Sequence, residues 1–109
     1  MKKKNRIETS YWSNGNKQCE TPYINDKRHG VKIWWYNNGN KWYETTYVND
    51  KAHGLEIGWH DNGNKNWEVP YVNDKRHGLV IGWYDSGEKY YETKFKNSIR
   101  HGSSISFNY

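Results

Sequence analysis

Residues 39–59 read GNKWYETTYVNDKAHGLEIGW, and the same frame returns on either side of them. The pair His-Gly stands at His29-Gly30, His53-Gly54, His77-Gly78 and His101-Gly102, each step being 24 residues. A second series keeps that phase. Gly15, Gly39, Gly63 and Gly87 precede Lys17, Lys41, Lys65 and Lys89, then Glu20, Glu44, Glu68 and Glu92, then Tyr23, Tyr47, Tyr71 and Phe95. No insertion breaks it, so the chain is an array of one supersecondary unit repeated four times.

Within a unit, turn-forming residues alternate with stretches of about six to eight residues rich in aromatic and β-branched side chains, the pattern of strands. Asp61-Asn62-Gly63-Asn64 reads as a tight hairpin, with Gly63 supplying the positive φ that closes a type I turn with a bulge. Gly39 and Gly87 repeat it. Asn49–Gly54 reads as a second, longer turn. Strands are expected near 17–24, 31–36, 41–48, 55–60, 65–72, 79–84, 89–96 and 103–108, after an opening strand at Ile7–Trp12. The fold class is all-β: an open single-sheet meander of four 24-residue β-hairpin repeats. Residues 1–10 form a basic leader and the start of the first strand, and 11–109 the array.

Alternation along each strand sorts the side chains by face. Leu55, Ile57 and Trp59 share a side, as do Val31, Ile33 and Trp35, and Leu79, Ile81 and Trp83. Pairing Tyr47 with Leu55 adds Tyr43, Tyr47, Trp67, Val69 and Tyr71 to that apolar face. It leaves Glu44, Glu56, Gly58, His60 and Glu68 on the other, with Trp34, Trp42 and Val48 as apolar islands. A one-residue slip would mix the two sets. Gly58 and Gly82, inside strands, mark places where a neighbour packs closely.

Composition agrees with a thin fold. The 109 residues are 33% hydrophobic and 17% aromatic, and leucine occurs only at Leu55 and Leu79. With a mean hydropathy of −1.31, a leucine-rich bundle and an apolar membrane-spanning run are excluded. The net charge of +5 owes most to Lys2, Lys3, Lys4 and Arg6, without which 13 basic residues face 12 acidic ones. No apolar stretch follows those lysines, as it would in a secretory signal. The lone Cys19 fits a reducing compartment, so the cytoplasm is the expected location.

The unit Tyr-x-Asn-Asp-Lys-x-His-Gly, followed by an aromatic, Asn-Gly and Glu, resembles the MORN repeat (membrane occupation and recognition nexus) over residues 11–109. It is most similar to the bacterial variant found in antitoxin-like MORN-repeat proteins. That variant usually has Asn-Gly-Lys where this chain has Asn25-Asp26-Lys27, Asn49-Asp50-Lys51 and Asn73-Asp74-Lys75. The last copy, Asn97-Ser98-Ile99, is degraded. The resemblance implies an elongated meander of hairpins with a groove that binds proteins or lipid head groups and often self-associates. It implies no catalysis and no cofactor. Such proteins occur in bacteria, eukaryotes and large viruses, so the cytoplasm in question is that of a bacterial cell or of an infected host cell.

Three sets of residues are candidates for chemistry. His29, His53, His77 and His101 recur two strands apart, roughly 9.5 Å, whereas a zinc ligand sits about 2 Å from its ion. They are expected to hold the long turn through their ring nitrogens, and no metal site is expected. His60 replaces Tyr36 and Tyr84 and reads as an exposed aromatic substitution. The four glutamates are identical from unit to unit, whereas acid and base roles need unlike environments, so each is expected to pair with a neighbouring lysine or cap turn amides. The basic stripe Lys27, Arg28, Lys51, Lys75, Arg76 and Arg100 resembles a phosphate track, but Asp26, Asp50 and Asp74 interleave with it and weaken it.

The expected function is therefore a non-enzymatic protein-binding module, an inhibitor or antitoxin-like protein that occludes a toxin, an effector or a host factor. Trp34, Tyr36, Trp42, Glu44, His60, Glu68 and Tyr84 are the expected partner-binding residues. Attachment to anionic phospholipid or nucleic acid through the lysine tail and the stripe ranks second. The uncharged alternation of Ile105, Phe107 and Tyr109 leaves an unguarded edge, at which self-association, as a homodimer, or docking of a partner is expected.

Overall fold

The computed structural model describes residues 4–100 and 105–106, and every element in it is a strand. In chain order these are β1 (Asn5–Tyr11), β2 (Lys17–Ile24), β3 (Lys27–Arg28), β4 (Gly30–Trp35), β5 (Lys41–Val48), β6 (Lys51–Ala52) and β7 (Gly54–Trp59). There follow β8 (Lys65–Val72), β9 (Lys75–Arg76), β10 (Gly78–Trp83), β11 (Lys89–Lys96), β12 (Ile99–Arg100) and β13 (Ile105–Ser106). All belong to one open antiparallel sheet built from the hairpins β1–β2, β4–β5, β7–β8 and β10–β11. It is a single layer, 49 × 36 × 13 Å. Of the strand expected at 103–108, only Ile105–Ser106 is described, pairing with β11. The edge residues 103–104 and 107–109, His101 and the lysines at 2 and 3 lie outside the described residues.

The glycine turns are as expected. Gly39 has φ 96°; its N–H donates to Tyr36 O at 3.1 Å, and Tyr36 N–H donates to Asn40 O at 2.8 Å. The strand ends carry a bulge, since Trp34 pairs with Tyr43 but Trp35 with Lys41, leaving Trp42 as the extra residue.

The second turn is not one long loop. Asn49 (φ 49°) and Asp50 (φ 70°) form a two-residue turn with both centres left-handed, the type I′ geometry that suits twisted hairpins and that Asn and Asp tolerate. Val48 then pairs with Lys51 and Tyr47 with Ala52, so a short arm precedes each main strand. At Gly54, φ is 116°, and β7 rejoins β5 with Tyr43 opposite Gly58 and Glu44 opposite Ile57.

This corrects the expected register. A two-residue turn leaves an even number of residues between paired positions, whereas Tyr47 opposite Leu55 needs an odd number. The two apolar sets consequently lie on opposite faces. On one face, Ile33, Glu44, Ile57, Glu68 and Ile81 form a single row across the sheet; this is the carboxylate face. On the other, Trp34, Tyr43, Gly58, Trp67 and Gly82 form the parallel row of the aromatic face. Glu56 lies with Val69 on the aromatic face and not with Glu44 and Glu68.

Burial is deepest on the aromatic face, at Thr21, Cys19, Thr45, Val69, Val80 and Thr93. The close approach expected at the strand glycines is present. A Cβ on Gly58 would lie 2.3 Å from Trp67 Cε2, and one on Gly82 would lie 2.9 Å from Tyr90 Cε1. Glu56 locks the first of these, accepting Trp67 Nε1–H at 2.9 Å and Thr45 Oγ1–H at 2.7 Å. Gly58→Val must lift the indole off the sheet and is expected to cost about 1–3 kcal/mol. Lys51→Ala, at an exposed side chain, should stay within about 0.5 kcal/mol. Urea unfolding followed by tryptophan fluorescence compares them, and equal midpoints would contradict this packing.

Candidate functional site: the aromatic face and its edges

Single-layer units cannot bury a core alone, and here each is fastened to the next along both edges. At the glycine-turn edge, the side-chain amides of Asn14 and Asn16 donate to Asn37 O at 2.7 and 3.0 Å, and those of Asn62 and Asn64 donate to Asp85 O, both at 2.8 Å. Between them Asn40 donates to Asp61 O at 2.9 Å, while Asn38 donates to the Asp61 carboxylate. Beside them Trp12 Nε1–H donates to Trp35 O at 3.1 Å and Tyr36 Oη–H to Trp59 O at 2.8 Å.

His60 continues that series. Its Nε2 lies 2.8 Å from Trp83 O, and since a carbonyl only accepts, Nε2 carries the proton. The ring is half-buried, so His60 is a link between units and not the exposed substitution expected of it. His60→Ala should cost about 1 kcal/mol, while His60→Tyr, which restores the residue type of Tyr36, should be close to neutral in thermal unfolding.

At the other edge the Asn-Asp turns dock backwards. Asp50 N–H donates to Arg28 O at 2.9 Å. The Asp50 carboxylate accepts Arg28 N–H and Arg28 Nε–H, each at 2.9 Å. The Arg28 guanidinium lies 4.2 Å over the Tyr47 ring. The backbone and then the side-chain hydrogen bond from Arg28 hold the Asp50 carboxyl below its ordinary 3.8, and the bond to Asp50 raises the already high Arg28 value. A lowered folded value stabilises above the unfolded value and is lost as pH falls through the folded one. The stability advantage of the native chain over Asp50→Asn should therefore be full at neutral pH and shrink below about pH 4; a constant difference down to pH 2 in acid unfolding would show that the charge is not used.

These bonds also revise the basic stripe. Arg28 is engaged with Asp50, and Arg76 lies 4.4 Å over the Phe95 ring, so among the described stripe residues the exposed Lys27, Lys51 and Lys75 are the ones in neither an ion pair nor a ring contact, Lys27 adding only its field at Asp50. Arg100 ends β12. The histidine ladder is mainly a backbone feature: His29, His53 and His77 N–H donate to Pro22, Thr46 and Pro70 O, and His29 Nδ1 faces Asn49 N–H at 3.5 Å. Among the described residues no three His, Cys, Asp or Glu side chains converge as metal ligands, and no helix is long and apolar enough to cross a membrane.

The seven expected partner-binding residues divide between the faces. Glu44 and Glu68 lie on the carboxylate face, paired with Lys41 at 3.2 Å and with Lys65. Those lysines reach over Trp59 and Trp83 of the next unit. Trp34, Tyr36 and Trp42 come together on the aromatic face, the exposed Trp42 ring lying 6.2, 5.8 and 5.1 Å from Trp34, Tyr36 and Tyr43. Tyr43 is in turn 5.7 Å from Trp67. Tyr84 packs with Tyr90 at 5.1 Å, farther along. Burial pushes the Tyr43, Tyr47 and Tyr71 phenols up, keeping them neutral.

Tyr43, Trp67, Glu56 and Lys32, whose ammonium is 5.4 Å from the Trp34 ring, also belong to this surface and were not among the expected residues. Their signal was available in the units themselves. On the carboxylate face the Lys and Glu positions repeat in every unit and Ile33 and Trp35 return as Ile57 and Trp59 and as Ile81 and Trp83, although Pro22, Thr46, Pro70 and Lys94 differ there, whereas the aromatic face reads Lys32, Glu56 and Val80 at one position and Trp34, Gly58 and Gly82 at another.

No curated protein and no solved structure matches the chain. The family model described as "MORN repeat variant" matches residues 7–25, 28–49 and 76–97, which fall on the first, second and fourth hairpins and the turns that fasten them. The glycine hairpins, the backward-docked turns and this match together make the chain a member of the MORN repeat variant family.

Proposed function

We propose that the chain is a non-enzymatic protein-binding module that receives its partner on the aromatic face. The observation that carries this reading is the continuous surface of Trp34, Tyr36, Trp42 and Tyr43, flanked by the charged side chains of Lys32 and Glu56, which change from unit to unit. Tryptophan and tyrosine are the residue types that most often anchor interfaces. Uniform positions serve the scaffold, and varied ones are free to recognise. The linked units are rigid, which reduces the ordering cost of docking.

The partner on this reading is a toxin, an effector or a host factor, whose working surface is covered by the sheet in the manner of an antitoxin-like inhibitor in the cytoplasm. Glu44, Glu68 and His60 then serve the scaffold rather than the interface. Attachment to anionic lipid or nucleic acid is the second reading, favoured by the exposed Lys27, Lys51 and Lys75 and disfavoured by the engagement of Arg28 with Asp50.

Salt and one substitution separate the two. Immobilised chain is offered a native lysate at about 0.1 M and about 1 M salt, between which the screening length falls from roughly 10 to 3 Å. A protein captured at both, lost with Trp42→Ala and kept when Lys27, Lys51 and Lys75 are changed to alanine, is the expected result. Capture that vanishes at high salt and with the lysines, but survives Trp42→Ala, would replace this reading by the second.

A further inference from the structure

At one position of the array an aromatic ring is covered by a guanidinium in three units out of four: Arg6 over Tyr23 at 4.2 Å, Arg28 over Tyr47 at 4.2 Å and Arg76 over Phe95 at 4.4 Å. Tyr71 is the fourth ring, and among the described residues no guanidinium lies over it. The cause is in the sequence, where Ala52 stands at the place of Arg28 and Arg76.

Everything else about that place is kept. Asp74 N–H donates to Ala52 O at 2.8 Å, as Asp50 N–H does to Arg28 O at 2.9 Å. Asp74 Oδ1 accepts Ala52 N–H at 2.7 Å, as Asp50 Oδ1 accepts Arg28 N–H at 2.9 Å. In the Arg28 unit two further bonds are made, from Nε to Asp50 Oδ1 and from Nη2 to Asp50 O, each at 2.9 Å. Their counterparts at Asp74 are absent, and the exposed Asp74 carboxylate makes no ion pair among the described residues, Lys51 and Lys75 included. Ala52 is itself buried, 7% exposed, and carries no side chain beyond its methyl to reach toward Asp74 or the Tyr71 ring. Burial pushes the Tyr71 phenol up, with Glu56 and Asp74 adding negative fields there and Arg76, its pair across β8 and β9, a positive one.

We propose that Asp74 and Tyr71 form an acceptor site for an arginine side chain of a partner protein, whose guanidinium takes the position that Arg28 holds against Asp50 and Tyr47. A carboxylate and a carbonyl set beside an aromatic face match the planar fork of arginine, which donates in plane and stacks at the same time; an ammonium satisfies only the charge. The partner as the source of the arginine rests on the protein-binding reading, while the site itself does not.

The probe is N-acetyl-arginine amide, titrated into the full chain and followed by NMR at the Tyr71 ring and the Ala52 methyl. Saturable shifts are expected, with N-acetyl-citrulline amide weaker by about tenfold or more because it keeps the shape and loses the charge. Ala52→Arg fills the place from within, as Arg28 does, and should abolish the Tyr71 shifts while raising the thermal midpoint. Asp74→Asn keeps an acceptor for Ala52 N–H and should preserve the fold while weakening arginine about tenfold. No saturation in the native chain, equal affinity for citrulline, or unchanged affinity in Asp74→Asn would overturn the site. Arginine binding that is lost in Ala52→Arg, in a chain that captures no protein, would instead leave the site standing and remove the protein-binding reading.

Discussion

The Asn-Asp turn is the constraint on which the rest of the structure depends. Each such turn holds two consecutive non-glycine residues at positive φ, as at Asn49 and Asp50 or Asn73 and Asp74, a conformation that costs energy for most side chains and little for Asn and Asp. Three consequences follow from placing it every 24 residues. Its even loop length sets which side chains share a face. At Asp50 and Asp74 the carboxylate and N–H are turned back onto the preceding unit. The short arm after it, β3, β6 or β9, carries the residue whose side chain either covers the neighbouring aromatic ring or, at Ala52, leaves it open.

A sheet with no second layer buries aliphatic side chains only where rings cover them, as at Val69 and Val80 on the aromatic face. Val31, Leu55 and Leu79 remain about two-fifths exposed. Flat rings do better: they lie down on the sheet, cover strand glycines such as Gly58, and keep N–H or O–H groups for bonding. Trp67 does both, blanketing Gly58 while donating to Glu56. The carboxylate face solves the same problem with lysine stems, Lys41 spanning from Glu44 to the Trp59 ring, so that charge and apolar cover come from one side chain.

Strand limits were legible because glycine and the Asn-Asp pair punctuate the chain at fixed intervals: Lys41–Val48 and Lys65–Val72 are found where they were expected. The pairing of each glutamate with a lysine three residues before it was legible for the same reason, since both recur in every unit. Face assignment was not. Alternation orders side chains within a strand, but the relation between strands depends on loop parity, and Asn49–Gly54 was read as one turn when it is a two-residue turn, a two-residue arm and a bulge. Placing Trp34 and Glu44 on one face was the direct result. His60 was misread because its partner, Trp83 O, is a backbone atom of the next unit that leaves no trace in the pattern of side chains.

That last point explains where the array can vary. Links made through the backbone of the arm survive substitution there: Ala52 N–H keeps its bond to the Asp74 carboxylate and Ala52 O its bond to Asp74 N–H although the arginine side chain is gone. Links to a carbonyl ask only for a donor of suitable length, so Trp12, Tyr36 and His60 serve in turn. The third hairpin and the turns around it concentrate such replacements, with Ala52, Glu56 and His60 all in the stretch from Lys51 to Val72, while its strands pair in the register of their neighbours. A repeat held together by its main chain can thus give up side chains locally without losing shape, and the places where it has done so are where a side chain from another molecule finds bonding groups already set and unused.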